Sequence, residues 1–134
     1  MTEADHHRLE DLAANRGTFS VRLDRAGWFG ENVLYLAPDD PAPIALLTRQ
    51  VWLAFPDFPP YGGRFTDPAP HLTVGHNHPA DELEAAERRV SPRLPVVQHL
   101  DHLELWAGPA VGARHHAAPW RHVRDYPFTS PSRT

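Results

Sequence analysis

Cysteine is absent from the 134-residue chain. The chain therefore has no disulfide framework, no thiolate nucleophile and no thiolate zinc site. Long apolar runs are missing too, since no stretch approaches the roughly 18 residues that a membrane span needs. The N-terminus is acidic and carries histidine, unlike the basic-then-apolar pattern of a signal peptide. We therefore expect a cytoplasmic protein with no membrane partner.

Positive charge is also scarce. Lysine and arginine together number 13 against 17 acidic residues, which gives a net charge of −4 with the histidines neutral. This balance argues against a broad surface that follows the phosphates of duplex DNA, but it allows a local pocket for one phosphate. The 10 histidines can shift the balance by several charges between about pH 7 and pH 5.

The composition is that of a globular protein, with 41% hydrophobic and 22% charged residues. The length suits one domain, which we place at residues 1–126, followed by a tail at 127–134. The 15 prolines are about twice the average usage and predict long connections.

Hydrophobic periodicity predicts a helix, two strands, a helix, a strand, a helix and then one or two strands. The helices are expected at 4–14, 41–55 and 79–90, and the strands at 18–24, 32–37, 71–75 and 100–106, with a possible last edge strand at 120–126. Gly27 and Gly30 flank a predicted turn, whose aromatic residues Trp28 and Phe29 are expected in the core. Helices on one face of a mainly antiparallel sheet would make an α+β domain.

One short segment is a candidate for the local phosphate pocket that the composition allows: residues 70–76 read PHLTVGH. Its period of two places His71 and Thr73 on one face of a strand and Leu72 and Val74 on the other, where they can enter a core. An imidazole can exchange a proton near neutral pH, and a hydroxyl can donate a hydrogen bond to a phosphoryl oxygen. Together they form half of an acid–base phosphodiester site, although such a pair is also common on a solvated strand.

A proline- and glycine-rich loop at residues 56–70 leads into this strand. Long loops inside compact domains often serve function, so we expect residues 57–66 to lie over the site. Arg64 is a candidate to neutralise a phosphate, and Tyr61 to stack on a base or donate a hydrogen bond. Alternatively, the loop's aromatic side chains only attach it to the core.

Several segments around this strand together resemble the C-terminal portion of the 2′-5′ RNA ligase family, within the two-histidine phosphoesterase superfamily. They are residues 27–30 (GWFG), 33–38 (VLYLAP), 46–56 (LLTRQVWLAFP), 59–63 (PPYGG), 70–76 (PHLTVGH) and 103–106 (LELW). The resemblance implies a partial two-histidine phosphoesterase fold. It also implies action on 2′,3′-cyclic phosphates or 2′-5′ linkages of RNA or nucleotides, without a metal or other cofactor.

In that family two His-x-Thr motifs face each other across a cleft, with one histidine as base and the other as acid. His71 and Thr73 match the second motif, and no His-x-Ser or His-x-Thr occurs upstream of them. The chain is thus expected to begin after the place of the first motif. His76 offers no replacement, because its strand parity is opposite to that of His71. A homodimer could instead bring two copies of His71 together.

Two other interpretations stay open. The chain could be a degenerate, non-catalytic half that binds nucleotides or a protein partner. His71, His76 and His78 could also hold zinc or nickel, since imidazoles suit those metals.

Overall fold

The structure is a computed structural model, and it describes residues 1–63, 69–108 and 119–129. The elements follow one another along the chain in this order: α1 (Glu3–Ala14), β1 (Phe19–Phe29), β2 (Val33–Pro38), α2 (Ala42–Ala54), β3 (Leu72–His76), α3 (Ala80–Val90), β4 (Val96–Leu100), β5 (His102–Ala107) and β6 (Arg121–Pro127). The expected α+β class is confirmed. All pairings between these strands are antiparallel.

The chain divides into two compact units, one formed by Phe19–Leu100 and the other by Met1–Thr18 with the residues from Asp101 onward. We call them the central unit and the terminal unit. None of the helices in the described ranges is long and apolar enough to cross a membrane.

The central unit is built on a four-stranded sheet with the strand order β3-β2-β1-β4. Val21, Leu23 and Leu36 form its buried cluster, and Ile44 of α2 and Val90 of α3 pack against them. Both helices therefore cover the same face of the sheet, as the sequence predicts. This arrangement leaves β3, the strand with the histidine motif, at one edge.

Strand β1 is longer than its hydrophobic pattern indicates, and the predicted turn at residues 26–30 is wrong. Gly27 and Phe29 pair with Tyr35 and Val33 inside the β1–β2 ladder. A Cβ atom built on Gly27 would lie 2.6 Å from the Tyr35 ring. Gly27 therefore permits a close cross-strand approach here, and the chain turns only after Phe29.

The terminal unit packs α1 against the two-stranded sheet of β5 and β6. Its buried side chains are Leu9, Ala13, Tyr126 and Phe128. Helix α1 begins with a capping box, because Thr2 accepts from the Asp5 amide and Asp5 accepts from the Thr2 amide. This second hydrogen bond is the main cause that lowers the pKa of Asp5.

Residues 127–129, placed in the tail by the sequence, are held by hydrogen bonds. The amide of Phe128 donates to the Asp101 carbonyl at 2.8 Å, and that of Thr129 donates to the Arg16 carbonyl at 2.8 Å. The single predicted strand near residue 100 is in fact two strands, β4 and β5, which belong to different sheets.

Candidate active site

The sheet of the central unit presents aromatic side chains on the face opposite α2 and α3. Leu34 and Leu36 of β2 are buried, and α3 packs on this strand. Because side chains alternate along a strand, Tyr35 points the other way. Its ring stacks on Phe29 with centroids 4.2 Å apart. We call this side of the sheet the aromatic face.

His71 belongs to the aromatic face. Its ring makes edge contacts with Phe29 at 4.9 Å and with Tyr35 at 5.7 Å between centroids. Its Nδ1 atom lies 2.7 Å from the carbonyl oxygen of Ala69. Since a carbonyl can only accept, this hydrogen bond assigns the proton of the neutral imidazole to Nδ1. The lone pair is then on Nε2, which is the atom able to accept a proton from a substrate or a water molecule.

Thr73 shares this face with His71, because it pairs directly with Tyr35 across the β2–β3 ladder and paired residues project to the same side. The expected burial of the alternate residues is wrong. Leu72 is 52% exposed and Val74 is 40% exposed. They lie on an edge strand that has a neighbour on one side only, so little of the core reaches them.

Tyr61 lies elsewhere, beside a cavity of about 460 Å³ on the helix side of the sheet. Val21, Leu23 and Ile44 contribute to its lining. His71 borders this cavity as well, whereas Thr73 does not line it. The structure thus brings His71 together with Thr73 on the aromatic face and with Tyr61 around the cavity, but it does not gather all three. Arg64 lies outside the described residues.

A β-bulge changes the position of His76. Tyr35 pairs with Thr73, but Leu34 pairs with Gly75, so Val74 is the extra residue of β3. His76 then pairs with Val33, which shares the parity of Tyr35. The expectation that His76 has the opposite parity to His71 is therefore wrong. The prediction assumed that side chains alternate without interruption along the strand, and the bulge breaks this alternation.

Three residues of this face were not predicted from the sequence: Phe29, Tyr35 and His76. Phe29 was expected in the core but is 42% exposed. The segments GWFG and VLYLAP contain two of these residues, and their role in the resemblance was the signal that could have identified them. For His76, the adjoining Gly75 was a hint, because glycine inside a strand often marks a bulge.

The described residues do not support the suggested zinc or nickel cluster. His71 lies just before β3 and His76 is its last residue, and His78 instead lies 3.7 Å from a Glu82 carboxylate oxygen. Three other groups in the described ranges do converge, since ligand atoms of His102, Glu104 and Asp125 lie within 4.8 Å of one another.

Two members of this second cluster, His102 and Glu104, belong to an ion-pair network in the terminal unit that also includes Asp101. His102 contacts Asp101 through Nδ1 at 2.5 Å and Glu104 through Nε2 at 3.1 Å. These carboxylates, Asp101 foremost, raise the pKa of His102 to about 9. A hydrogen bond from Trp106, followed by that from His102, lowers the pKa of Glu104. These contacts favour the protonated form of His102, so a metal ion would have to displace that proton to bind here.

The chain combines an α+β fold with His71 and Thr73 on one face of a sheet. Comparison with known families identifies the class of protein that has these features. The family model described as the 2′-5′ RNA ligase superfamily matches residues 1–110. The chain therefore belongs to this superfamily. No curated protein sequence matches it significantly.

Among solved structures, the chain is similar to the protein TT0787 of Thermus thermophilus. The TM-score is 0.58 at 14% sequence identity, and the match covers 93% of this chain and 69% of the other. At 14% sequence identity this similarity supports the fold alone.

Proposed function

We propose that this chain binds and hydrolyses 2′,3′-cyclic phosphate ends of RNA or nucleotides at the aromatic face, with His71 as an acid–base group and Thr73 as a phosphate ligand. Membership of the 2′-5′ RNA ligase superfamily supports a phosphoesterase or ligase-like activity in general. The observation that carries the specific proposal is the His71–Ala69 hydrogen bond, because it orients the ring and leaves Nε2 free to take a proton.

In the proposed reaction, Nε2 of His71 accepts a proton from a water molecule whose oxygen attacks phosphorus. The bond from phosphorus to one ribose oxygen breaks, and that oxygen takes a proton from a second group, which acts as the acid. The Thr73 hydroxyl donates a hydrogen bond to a non-bridging oxygen of the phosphate. The stacked rings of Phe29 and Tyr35 contact the His71 ring, so little rotational freedom is lost when substrate binds.

We propose that the second acid is another copy of His71, supplied by a homodimer. Acid–base cleavage gains about 10²- to 10⁴-fold from each well-placed group, so a single imidazole gives up much of the rate. Two-fold symmetry is the commonest arrangement of homo-oligomers and would place two identical motifs opposite each other. The expected compartment remains the cytoplasm, and the expected partner an RNA end or nucleotide.

The test is hydrolysis of a 2′,3′-cyclic mononucleotide by the wild-type chain, by His71→Ala and by His78→Ala, followed by phosphorus NMR. His78 is a matched control because it is an exposed histidine just beyond the same strand. We expect turnover to be lost in His71→Ala and retained in His78→Ala. Equal rates in all three proteins would refute a catalytic role for His71.

A dilution series with molar mass from light scattering examines the homodimer. Specific activity should fall as the monomer becomes dominant, because the second acid is then lost. Constant activity in the monomer range would mean that another group of this chain is the acid. Phosphate binding without turnover at any concentration would favour the non-catalytic alternative, for which the presence of only one motif is the supporting observation.

A further inference from the structure

The bulge in β3 places a second imidazole on the aromatic face. Gly75 pairs with Leu34, a fully buried residue. A Cβ atom built on Gly75 would lie 2.6 Å from Leu83 of α3, so this position faces the helix side. Its successor His76 must face the opposite way. Both the ladder register and the packing against α3 therefore assign His76 to the side that carries His71 and Thr73.

The turn after His76 keeps this histidine in position. Asn77 has a φ of 58°, so the chain turns sharply after His76. The Asn77 amide donates to the Asn32 carbonyl at 2.9 Å, which ties this turn to the start of β2. His76 itself is exposed. It is thus an accessible imidazole on a fixed backbone.

The spacing of Thr73 and His76 decides what His76 can do. The two residues pair with Tyr35 and Val33, two positions apart on β2, so their Cα atoms are about 7 Å apart at 3.4 Å per strand residue. Side chains stand roughly perpendicular to a sheet, which keeps the His76 imidazole about that far from the Thr73 hydroxyl. Two groups acting on one phosphorus must both be within hydrogen-bond reach of it. With the terminal phosphate at Thr73, His76 is therefore placed to reach the next phosphate and not the reacting one.

We infer that His76 forms a second phosphate-binding subsite, so that the preferred substrate is an oligonucleotide end and not a mononucleotide. The inference rests on the proposed function, with the terminal phosphate at His71 and Thr73. An imidazole N–H of His76 donates to an oxygen of the neighbouring phosphodiester further along the same strand of RNA. His76 is a binding residue here, and it takes no part in bond breaking.

The experiment compares the binding of two stable probes, uridine 3′-monophosphate and the dinucleotide that extends it by one 5′ uridine, by calorimetry. Wild type should bind the dinucleotide about tenfold more tightly, as one hydrogen bond to a charged group can provide. His76→Ala should lose this gain but keep its affinity for the mononucleotide. His78→Ala should keep both, and His76→Gln, which retains a donor, should keep part of the gain.

A third probe tests the chemical basis of the gain. In this dinucleotide a neutral methylphosphonate replaces the bridging phosphodiester, so base and sugar remain while the charge is gone. Its affinity should match that of the mononucleotide. A full gain with this probe would overturn the inference and assign the gain to stacking on Phe29 or Tyr35.

The outcomes separate the two proposals. Mononucleotide binding that depends on His71, without any gain for the dinucleotide or with a gain that survives His76→Ala, refutes the His76 subsite alone. Absence of mononucleotide binding in wild type refutes the proposed function, and the subsite with it.

Discussion

His71 in the central unit and His102 in the terminal unit are held in opposite ways. His71 donates to a neutral backbone carbonyl and touches two aromatic rings. His102 lies between two carboxylates, and its pKa is raised to about 9. A histidine that stays protonated at neutral pH is a poor proton acceptor, whereas one that is bound only through Nδ1 keeps Nε2 for exchange. The partners of an imidazole, more than its exposure, therefore separate a structural histidine from a candidate catalytic one.

The largest expected effect tests this contrast directly. His71→Ala should lower the turnover of a 2′,3′-cyclic nucleotide by about 10²- to 10⁴-fold, the usual contribution of one acid–base group. His102→Ala should leave turnover within a factor of about two, because its contacts with Asp101 and Glu104 are exposed ion pairs, which contribute little. Initial rates at equal protein concentration provide the measurement. A larger loss in His102→Ala than in His71→Ala would reverse the assignment.

A smaller effect is expected at Thr73. Thr73→Val keeps the shape of the side chain but removes the hydroxyl, so binding of inorganic phosphate should weaken about tenfold. Thr73→Ser should bind nearly as well as wild type. The control is Thr48→Val, since Thr48 borders the cavity on the helix side. An equal loss in Thr48→Val would place the anion in that cavity and not on the aromatic face.

The ion-pair network of the terminal unit should appear in the pH dependence of stability. Because the folded pKa of His102 lies above the ordinary value of 6.5, its contribution is complete below about pH 6.5 and is lost as the pH rises through about 9. Thermal melts of wild type and His102→Gln at pH 6, 8 and 10 should therefore converge as the pH rises. A difference in melting temperature that grows toward pH 10 would contradict the network.

The smallest effect concerns Tyr126, which is 1% exposed and contacts Nδ1 of His6 at 2.5 Å. Burial raises the pKa of its phenol above the ordinary value of 10.0. The folded state thus favours the neutral phenol, and this contribution is lost as the pH rises through the folded pKa. Tyr126→Phe should cost about 1 kcal/mol at pH 7 and reduce the loss of stability above pH 10. Denaturant melts at pH 7 and 11 measure both, and an unchanged alkaline loss in Tyr126→Phe would assign it to other groups.

Local sequence patterns were sufficient for most elements of the fold. Each helix has an apolar stripe, and the strands show apolar alternation, so their type could be predicted from nearest neighbours along the chain. The motif of His71 and Thr73 was also apparent from the sequence, because only two residues separate an imidazole from a hydroxyl on one strand face. The two residues do share the aromatic face, whereas their role in binding and catalysis stays a prediction.

Tertiary structure alone decided which residues surround His71. The length of β1 depends on Gly27 lying beneath the ring of Tyr35, a contact between residues of different strands. The side on which His76 lies depends on a bulge that pairs Gly75 with Leu34 and packs it against Leu83. Periodicity describes only the order of residues within one strand. The register between strands is set by the packing of distant side chains, and a shift of one residue exchanges the two faces of a sheet.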